Sequence, residues 1–325
     1  MSKSKPKPLF NSVEPGWTPD QMGDQSGKII LITGGNSGIG FEAARILAKA
    51  GAHILLGART PSKGEAAVDD IRKAGGQADL IHLDLADLES IRQAANDVRA
   101  QTDALDVMIN NAGIMQTPKL TTKDGFELQL GTNHLGHFLL NGLLYPLVEA
   151  ARGRIVTVSS IAHKFGTLKL NDLMLEDGYT PSIAYGQSKL ANLVYALELQ
   201  RRLEAAGSPV TSYAVHPGYS DTALQSTGPT GLLSLIYKLT NKLVAQPSEY
   251  GAFPTVMAAT SDDVKPGGYY GPTGWQDTRG PVGDAAVHPK ALSERRARLL
   301  WELSEGYVGF DWDTHFAAED GNEGL

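Results

Sequence analysis

Short apolar runs alternate with longer segments of helical composition along most of the chain from Lys28 onward. This alternation is typical of β-α-β units in a parallel sheet that helices cover on both faces. The pattern predicts strands at residues 29–33, 53–56, 80–83, 107–109, 155–158 and 210–215, and residues 269–270 are a candidate for a seventh. We therefore predict an α/β protein with a single doubly wound parallel sheet of about seven strands.

No linker or shift in composition interrupts this pattern, so residues 28–271 are predicted to form one domain. Residues 1–27 are rich in Pro, Ser and Gly and predict an extended N-terminal arm, with Trp17 as its anchor. Residues 272–325 are predicted as a C-terminal extension. They carry an aromatic set of Trp275, Trp301, Tyr307, Phe310, Trp312 and Phe316.

The composition is that of an ordinary globular protein, with 42% hydrophobic and 20% charged residues. A net charge of −7 argues against a nucleic-acid partner. The absence of cysteine excludes disulfides and thiolate chemistry and agrees with a reducing compartment. No apolar run follows the first ten residues, and none reaches about 18 residues. We therefore expect a cytoplasmic protein without a membrane span.

A glycine cluster, Thr33-Gly34-Gly35-Asn36-Ser37-Gly38-Ile39-Gly40, lies between the first predicted strand and the helix after it. Glycines in that position allow a tight turn and close approach of the backbone to a pyrophosphate, which the helix N-terminus attracts. A phosphate-binding P-loop fits poorly, because no Lys-Ser/Thr follows the last glycine. The segment predicts a dinucleotide site of the Rossmann type, with a plain tight turn as the alternative.

The end of the second strand bears on the choice of dinucleotide. An acidic residue about 20 residues beyond the glycines would bind the ribose 2′-hydroxyl of NAD, but Ala58 and Arg59 stand there. A guanidinium suits a 2′-phosphate, because its planar fork makes paired charge-assisted hydrogen bonds. The sequence therefore favours NADP(H), with a solvent-exposed arginine as the alternative interpretation of Arg59.

Tyr185 and Lys189 stand four residues apart on a predicted helix over residues 182–205, and so on one face of it. A phenol has a pKa of about 10, and a fixed neighbouring cation favours its ionised form. Such a pair can serve as a proton shuttle near neutral pH. Chance could produce the spacing, so the prediction depends on its place downstream of the glycine turn and of Ser159-Ser160.

Five motifs in a fixed order make the chain resemble the short-chain dehydrogenase/reductase family over about residues 28–270. They are the turn from Thr33 to Gly40, Asp84-Leu85, Asn110-Asn111-Ala112-Gly113, the set Ser160/Tyr185/Lys189, and Pro217-Gly218 followed by Thr222. Within the family, residues 133–138 and the long spacing from Ser160 to Tyr185 resemble the retinol-dehydrogenase-like branch.

The resemblance implies a role for each matched residue. Tyr185 would be the general acid or base, Lys189 would hold the nicotinamide ribose and lower the pKa of Tyr185, Ser160 would bind the substrate oxygen, and Asn133 would support a water-linked proton path. The implied cofactor site comprises Gly34, Asn36, Ser37, Gly38, Ile39, Gly40, Arg59, Asp84, Leu85, Asn111, Ala112, Gly113, Tyr185, Lys189, Pro217, Gly218 and Thr222. No metal is implied, and structural or surface roles are predicted for His134, His137, His163 and His216.

The resemblance also implies a mobile substrate lid at residues 222–246, where leucines recur at helical spacing. The resemblance implies a carbonyl reductase or secondary alcohol dehydrogenase, here NADP(H)-dependent, and the apolar lid favours bulky, uncharged, lipophilic ketones, aldehydes or alcohols as its substrates. The resemblance further implies a homodimer or homotetramer. Packing of the leucines on the core is the alternative use of that stripe. Two other functions stay open: an NAD-dependent dehydrogenase of polar polyols and a non-catalytic NADP(H)-binding regulatory module.

Overall fold

The computed structural model describes residues 5–219 and 247–316. Within them, eight strands form one sheet in the order β3-β2-β1-β4-β5-β6-β7-β8. The strands are β1 Ile29–Thr33, β2 His53–Ala58, β3 Gln77–His82, β4 Val107–Asn110, β5 Arg154–Val158, β6 Thr211–Val215, β7 Tyr269–Pro272 and β8 Val282–Asp284. All neighbouring strands pair in parallel except β7 and β8, which pair antiparallel. The predicted doubly wound sheet is confirmed, with one antiparallel edge strand more than expected.

Helices cover both faces of the sheet. They are α1 Gly38–Lys49, α2 Pro61–Lys73, α3 Leu88–Arg99, α4 Leu128–Leu130, α5 Gly136–Ala150, α6 Pro181–Ala205, α7 Ser248–Thr260, α8 Glu294–Val308 and α9 Asp313–Phe316. Side chains on β1 alternate between the two faces: Ile30 and Ile32 lie in the core beneath α1 and α7, and Leu31 lies in the core beneath α3, α5 and α6. Strands buried on both faces explain why the strand signal in the sequence is a continuous apolar run.

Local chemistry fixes the ends of two helices that frame the site. Thr180 caps α6, with its Oγ1 accepting a hydrogen bond from the backbone N–H of Ile183, and Pro181 occupies the first helical position, where its missing N–H costs nothing. Before α5, Gly131–Leu135 forms a π-helical turn. Single π turns inside helices recur at functional sites, and this one contains Asn133.

Both ends of the described chain pack against the domain. Asp284 on β8 accepts hydrogen bonds from the backbone N–H groups of Ser12 and Val13, at 2.8 and 2.9 Å, and Trp17 is buried. At the other end, Trp301 of α8 and Trp312 are fully buried against the outer faces of α5 and α6. The segment predicted as an extension therefore supplies an edge strand and an aromatic cover. Across residues 5–219 and 247–316, no helix combines the length and apolarity that a membrane crossing requires.

Candidate active site

A cleft of about 700 Å³ runs along the edge of the sheet where the parallel strands end. The residues that follow β1 through β6 all contribute to its walls. The strand order reverses between β1 and β4. In open α/β sheets, ligands bind in the crevice at such a reversal.

The glycine turn after β1 forms the floor of this cleft. Gly34 has φ +67°, and a Cβ there would lie 2.9 Å from Ala112 Cα. A Cβ on Gly40 would lie 2.3 Å from Asn111 Nδ2. Only glycine therefore lets the turn pack this closely on the end of β4 and leave its backbone open to the cleft. A cradle of this kind, at the start of α1, fits a pyrophosphate.

Two cations lie on the β2 side of the cleft, Arg59 directly after the strand and Lys63 in the first turn of α2. The sequence analysis identified Arg59 but not Lys63. The signal that could have found Lys63 is its place in the first turn of a helix that starts at Pro61, two residues after Arg59. Together they provide a positive end for the cleft, next to Asp84 and Leu85 after β3.

Tyr185 and Lys189 lie on α6 and both line the cleft. The Lys189 ammonium is buried and donates a hydrogen bond of 3.0 Å to the carbonyl of Val158, at the end of β5. Burial lowers the pKa of Lys189 to about 8, so the side chain is mostly protonated at neutral pH. The predicted phenol and ammonium thus face one crevice, from neighbouring turns of a helix that Thr180 caps.

The two serines after β5 have different surroundings. The Ser159 hydroxyl is buried and donates a hydrogen bond of 2.7 Å to the carbonyl of Lys189. Ser160 lies half-buried in the wall, and its Oγ accepts a hydrogen bond from the N–H of Ala162. Accepting that bond leaves the Ser160 O–H able to donate. This geometry agrees with the choice of Ser160 as the residue for a substrate oxygen.

Asn133 is fully buried behind the wall of the cleft. Its side-chain amide makes two hydrogen bonds to the backbone of Ile114: Oδ1 accepts from the N–H at 2.8 Å, and Nδ2 donates to the carbonyl at 3.0 Å. Nδ2 also donates to Ser188 Oγ on α6. A Cβ on Gly113 would lie 3.2 Å from Asn133 Oδ1 and 3.5 Å from Lys189 Nζ. The side chains of Asn133 and Lys189 therefore both approach the wall at Gly113.

Four histidines that the sequence analysis assigned to structural or surface roles are buried. Burial lowers the pKa of His134 and His216 to about 3 and that of His137 and His163 to about 4. All four are therefore neutral at pH 7. Of the two predicted alternatives, the structural role fits all four, because the C-terminal helix or the end of the sheet encloses each ring.

The opposite end of the cleft, beyond β5 and β6, is mainly apolar and lacks ionic side chains among the described residues that line it. This wall comprises Ile114, Met115, Gln116, Ile161, Ala162, Phe165, Tyr219, Gln276 and Thr278. The sequence analysis missed Gln276 and Thr278, which arrive from the loop between β7 and β8. That loop is fixed by a hydrogen bond of 2.8 Å from Tyr219 N to Thr278 O and by an ion pair between Lys164 and Asp277.

The cleft brings together every predicted site residue that the structure describes, except Asn133. These residues are Gly34, Asn36, Ser37, Gly38, Ile39, Gly40, Arg59, Asp84, Leu85, Asn111, Ala112, Gly113, Ser160, Tyr185, Lys189, Pro217 and Gly218. Thr222 and the predicted lid at residues 222–246 lie outside the described residues. The cradle, the two cations and the volume of the crevice fit a nicotinamide dinucleotide.

The chain is similar to known proteins over most of its length. Residues 28–230 match the profile of a family described as short chain dehydrogenase. Retinol dehydrogenase 12 of Mus musculus is 39% identical over 292 residues, which cover 88% of each chain. Retinol dehydrogenase 14 of Homo sapiens is 38% identical over 302 residues, with 87% of each chain covered.

Two solved structures illustrate the likeness in three dimensions. An uncharacterised protein from Mycobacterium paratuberculosis is 40% identical, with a TM-score of 0.77 over 91% of this chain and 99% of that one. A protein from Beutenbergia cavernae, described as an NAD(P)-dependent gluconate 5-dehydrogenase with bound NADP at low occupancy, is 28% identical. Its TM-score is 0.59, over 76% of this chain and 95% of that one.

Proposed function

The chain belongs to the short-chain dehydrogenase family, and from this premise we propose that it is an NADP(H)-dependent oxidoreductase for bulky, uncharged, lipophilic ketones, aldehydes or alcohols. The observation that carries the proposal is one continuous cleft with two cations after β2 and the Tyr185/Lys189 pair on α6. A dinucleotide lying across the reversal point of the sheet would place its charged end and its reactive end at these two groups.

The preference for NADP(H) rests on charge. No acidic side chain follows β2, and Arg59 and Lys63 line that end of the cleft. A 2′-phosphate there would gain charge-assisted hydrogen bonds, whereas the 2′-hydroxyl of NAD would lack its usual carboxylate partner. The alternative, an NAD-dependent polyol dehydrogenase, would need that carboxylate and a polar wall beyond β5, and the described part of the cleft provides neither.

The catalytic step would divide a hydride and a proton between two donors. When bound, the nicotinamide supplies the hydride in reduction and accepts it in oxidation. Tyr185 would give its phenolic proton to the carbonyl oxygen in reduction and take it back in oxidation. Ser160 would hold that oxygen by donating a hydrogen bond. The positive charge of Lys189 would favour the phenolate, and Asn133 would support the route by which the phenol is reprotonated.

The substrate class follows from the wall beyond β5 and β6. Met115, Ile161 and Phe165 all line the cleft, and Phe165 is 83% exposed. An exposed aromatic side chain at a cleft mouth is well suited to contact an apolar ligand. Several relatives are named retinol dehydrogenases, and an isoprenoid alcohol belongs to the same lipophilic class, although the proposal does not single out retinol.

Two further parts of the proposal concern the cell and the assembly. We propose a cytoplasmic location and a homodimer or homotetramer. The outer faces of α5 and α6 carry the C-terminal helices, with Phe310 packed on Gly142 and Trp301 stacked on Tyr195 at 5.8 Å. Subunit contacts through those two helices would compete with this packing, so other surfaces are the better candidates.

A substrate panel tests the proposal. NADPH and NADH oxidation would be followed with aryl ketones, alicyclic ketones and lipophilic aldehydes, and the reverse reaction with sugars, polyols, gluconate and hydroxy acids. We expect the highest kcat/KM for NADPH with the lipophilic set. An equal or better kcat/KM with NADH would refute the cofactor assignment, and a clear preference for the polar set would refute the substrate class. No turnover with any member would favour the non-catalytic binding module.

A further inference from the structure

His137 lies in the first turn of α5 and joins two parts of the cleft wall. Its ring is buried, with Nε2 at 2.8 Å from Thr33 Oγ1 and Nδ1 at 3.0 Å from the main-chain carbonyl of Asn133. Thr33 ends β1 just before the glycine turn, and Asn133 lies in the π-helical turn beside Lys189. One imidazole therefore spans the floor of the dinucleotide cleft and the wall behind the catalytic pair.

The hydrogen bonds around Thr33 and His137 determine which ring nitrogen of His137 carries the proton. Thr33 Oγ1 accepts hydrogen bonds from the N–H groups of Asn111 and Ala112, both at 3.0 Å, which uses both of its lone pairs. Its own proton must then be donated, and the nearer acceptor is His137 Nε2 at 2.8 Å, against 3.4 Å for the carbonyl of Ile109. With Nε2 accepting, the neutral ring carries its proton on Nδ1 and donates it to Asn133.

We propose that His137 is a positioning residue of the reaction, which orients the cofactor wall through Nε2 and the Asn133 main chain through Nδ1. This inference rests on the proposed function. On the first arm, Thr33 Oγ1 holds the Asn111 backbone, and the Asn111 amide in turn donates to the carbonyls of Thr33 and Gly34 in the glycine turn. By accepting the hydroxyl proton of Thr33, His137 Nε2 thus fixes the orientation of the hydroxyl that holds the Asn111 backbone.

On the second arm, the Nδ1–H group holds the Asn133 carbonyl. The Asn133 amide contacts Ile114 and, through Ser188 Oγ, the carbonyl of Tyr185. A shift of the Asn133 main chain would therefore be transmitted to the loop after β4 and to α6. Burial keeps the ring in its neutral state, since it lowers the pKa of His137 to about 4, so the arrangement is constant across the working pH range.

Two substitutions separate the contact with Thr33 from the contact with Asn133. The side-chain amide of asparagine reaches about as far as Nδ1 of histidine, and that of glutamine reaches about as far as Nε2. His137→Asn keeps a donor for Asn133 and removes the acceptor for Thr33. We expect it to raise the Kd for NADPH about 5-fold or more and to leave kcat within about 2-fold. His137→Gln keeps an acceptor for Thr33 and removes the donor. We expect it to lower kcat about 10-fold and to leave the Kd within about 2-fold.

His134 provides the matched control. It is a buried neighbour in the π-helical turn just before α5, but its Nε2 faces Ser304 on α8, away from the cleft. His134→Asn and His134→Gln should lower the melting temperature and leave kcat and Kd near the wild-type values. If both His137 variants lost kcat and affinity together in proportion to their melting temperatures, or if both kept wild-type values, the positioning role would be refuted.

Two of the readouts need no turnover. The Kd comes from NADPH fluorescence, so a protein that binds NADPH and reduces no carbonyl would refute the proposed function while the affinity arm of His137 is still measured. The tautomer comes from the ¹⁵N chemical shifts of the ring, assigned by comparison with His137→Asn, and needs no cofactor. A neutral ring protonated on Nδ1 supports the inference, and one protonated on Nε2 overturns it.

Discussion

Gly40→Ala tests the packing of the glycine turn. The added methyl would lie 2.3 Å from Asn111 Nδ2 and 2.5 Å from the Gly34 carbonyl, both closer than any van der Waals contact. Asn111 cannot rotate away freely, because its amide donates to the carbonyls of Thr33 at 2.9 Å and of Gly34 at 3.3 Å. The substitution should therefore distort the floor of the cleft.

Three free-energy contributions decide whether Gly40→Ala stabilises or destabilises the folded protein. Losing the two hydrogen bonds of Asn111 costs about 1 kcal/mol each, and overpacking of the turn adds about 1–3 kcal/mol. The better helix propensity of alanine returns about 1 kcal/mol. The net is a destabilisation of about 2 kcal/mol or more. If about 2 kcal/mol were lost from the free energy of NADPH binding, the Kd for NADPH would rise about 30-fold.

Urea unfolding and NADPH fluorescence would measure the two effects, with Gly306→Ala as the control. Gly306 lies inside α8, and a Cβ there meets no heavy atom within 4 Å. Gly306→Ala should therefore stabilise the protein by about 0.5–1 kcal/mol and leave the Kd unchanged. The reasoning would be refuted if Gly40→Ala behaved like Gly306→Ala in both assays.

Four further substitutions test other parts of the account. Arg59→Ala should raise the Kd for NADPH about 10- to 100-fold and leave that for NADH unchanged, by fluorescence titration, since a charge-assisted hydrogen bond contributes about 1.5–3 kcal/mol; equal losses would contradict the 2′-phosphate site. Lys189 has a pKa of about 8 when folded, below its usual 10.5. The unfolded chain therefore binds more protons between those values. Between pH 7.5 and 9.5, the free energy of unfolding of the wild type should rise by about 2 kcal/mol relative to that of Lys189→Met, as measured by urea unfolding. A difference between the two proteins that does not change with pH would refute the burial argument. Trp312→Ala should cost about 3–5 kcal/mol, because the ring is fully buried. Trp275→Ala, at 65% exposed, should cost at most about 0.5 kcal/mol; similar losses of melting temperature would contradict the packing.

The parts of the molecule that local pattern determines could be predicted from sequence. β1 and the start of α1 follow from a β-branched run and a glycine cluster, and α6 follows from the uninterrupted helical stretch over residues 182–205. Parallel strands end at one edge of the sheet. The residues that follow the strands were assigned to one site through the family resemblance, and the parallel order of the strands explains why they meet there.

The remaining parts depend on contacts between distant segments. β8 has only three residues, Val282–Asp284, and pairs as a strand because β7 offers an edge and Asp284 binds the N-terminal arm. Gln276 reaches the cleft through the same hairpin and has φ +51°, which its residue type does not indicate. Likewise His137 resembles any polar helix residue until Thr33, at a distance of 104 positions, is seen beside it.

The proton donor is the centre of the proposed function, and Tyr185→Phe tests it most directly. The measurement is single-turnover NADPH oxidation with the best lipophilic ketone, together with the Kd for NADPH of both proteins. Because a general acid contributes about 10²- to 10⁴-fold to a rate, we expect a loss of at least about 100-fold, with the Kd changed by less than about 3-fold. A variant that oxidised NADPH within about 10-fold of the wild-type rate would contradict the assignment of Tyr185.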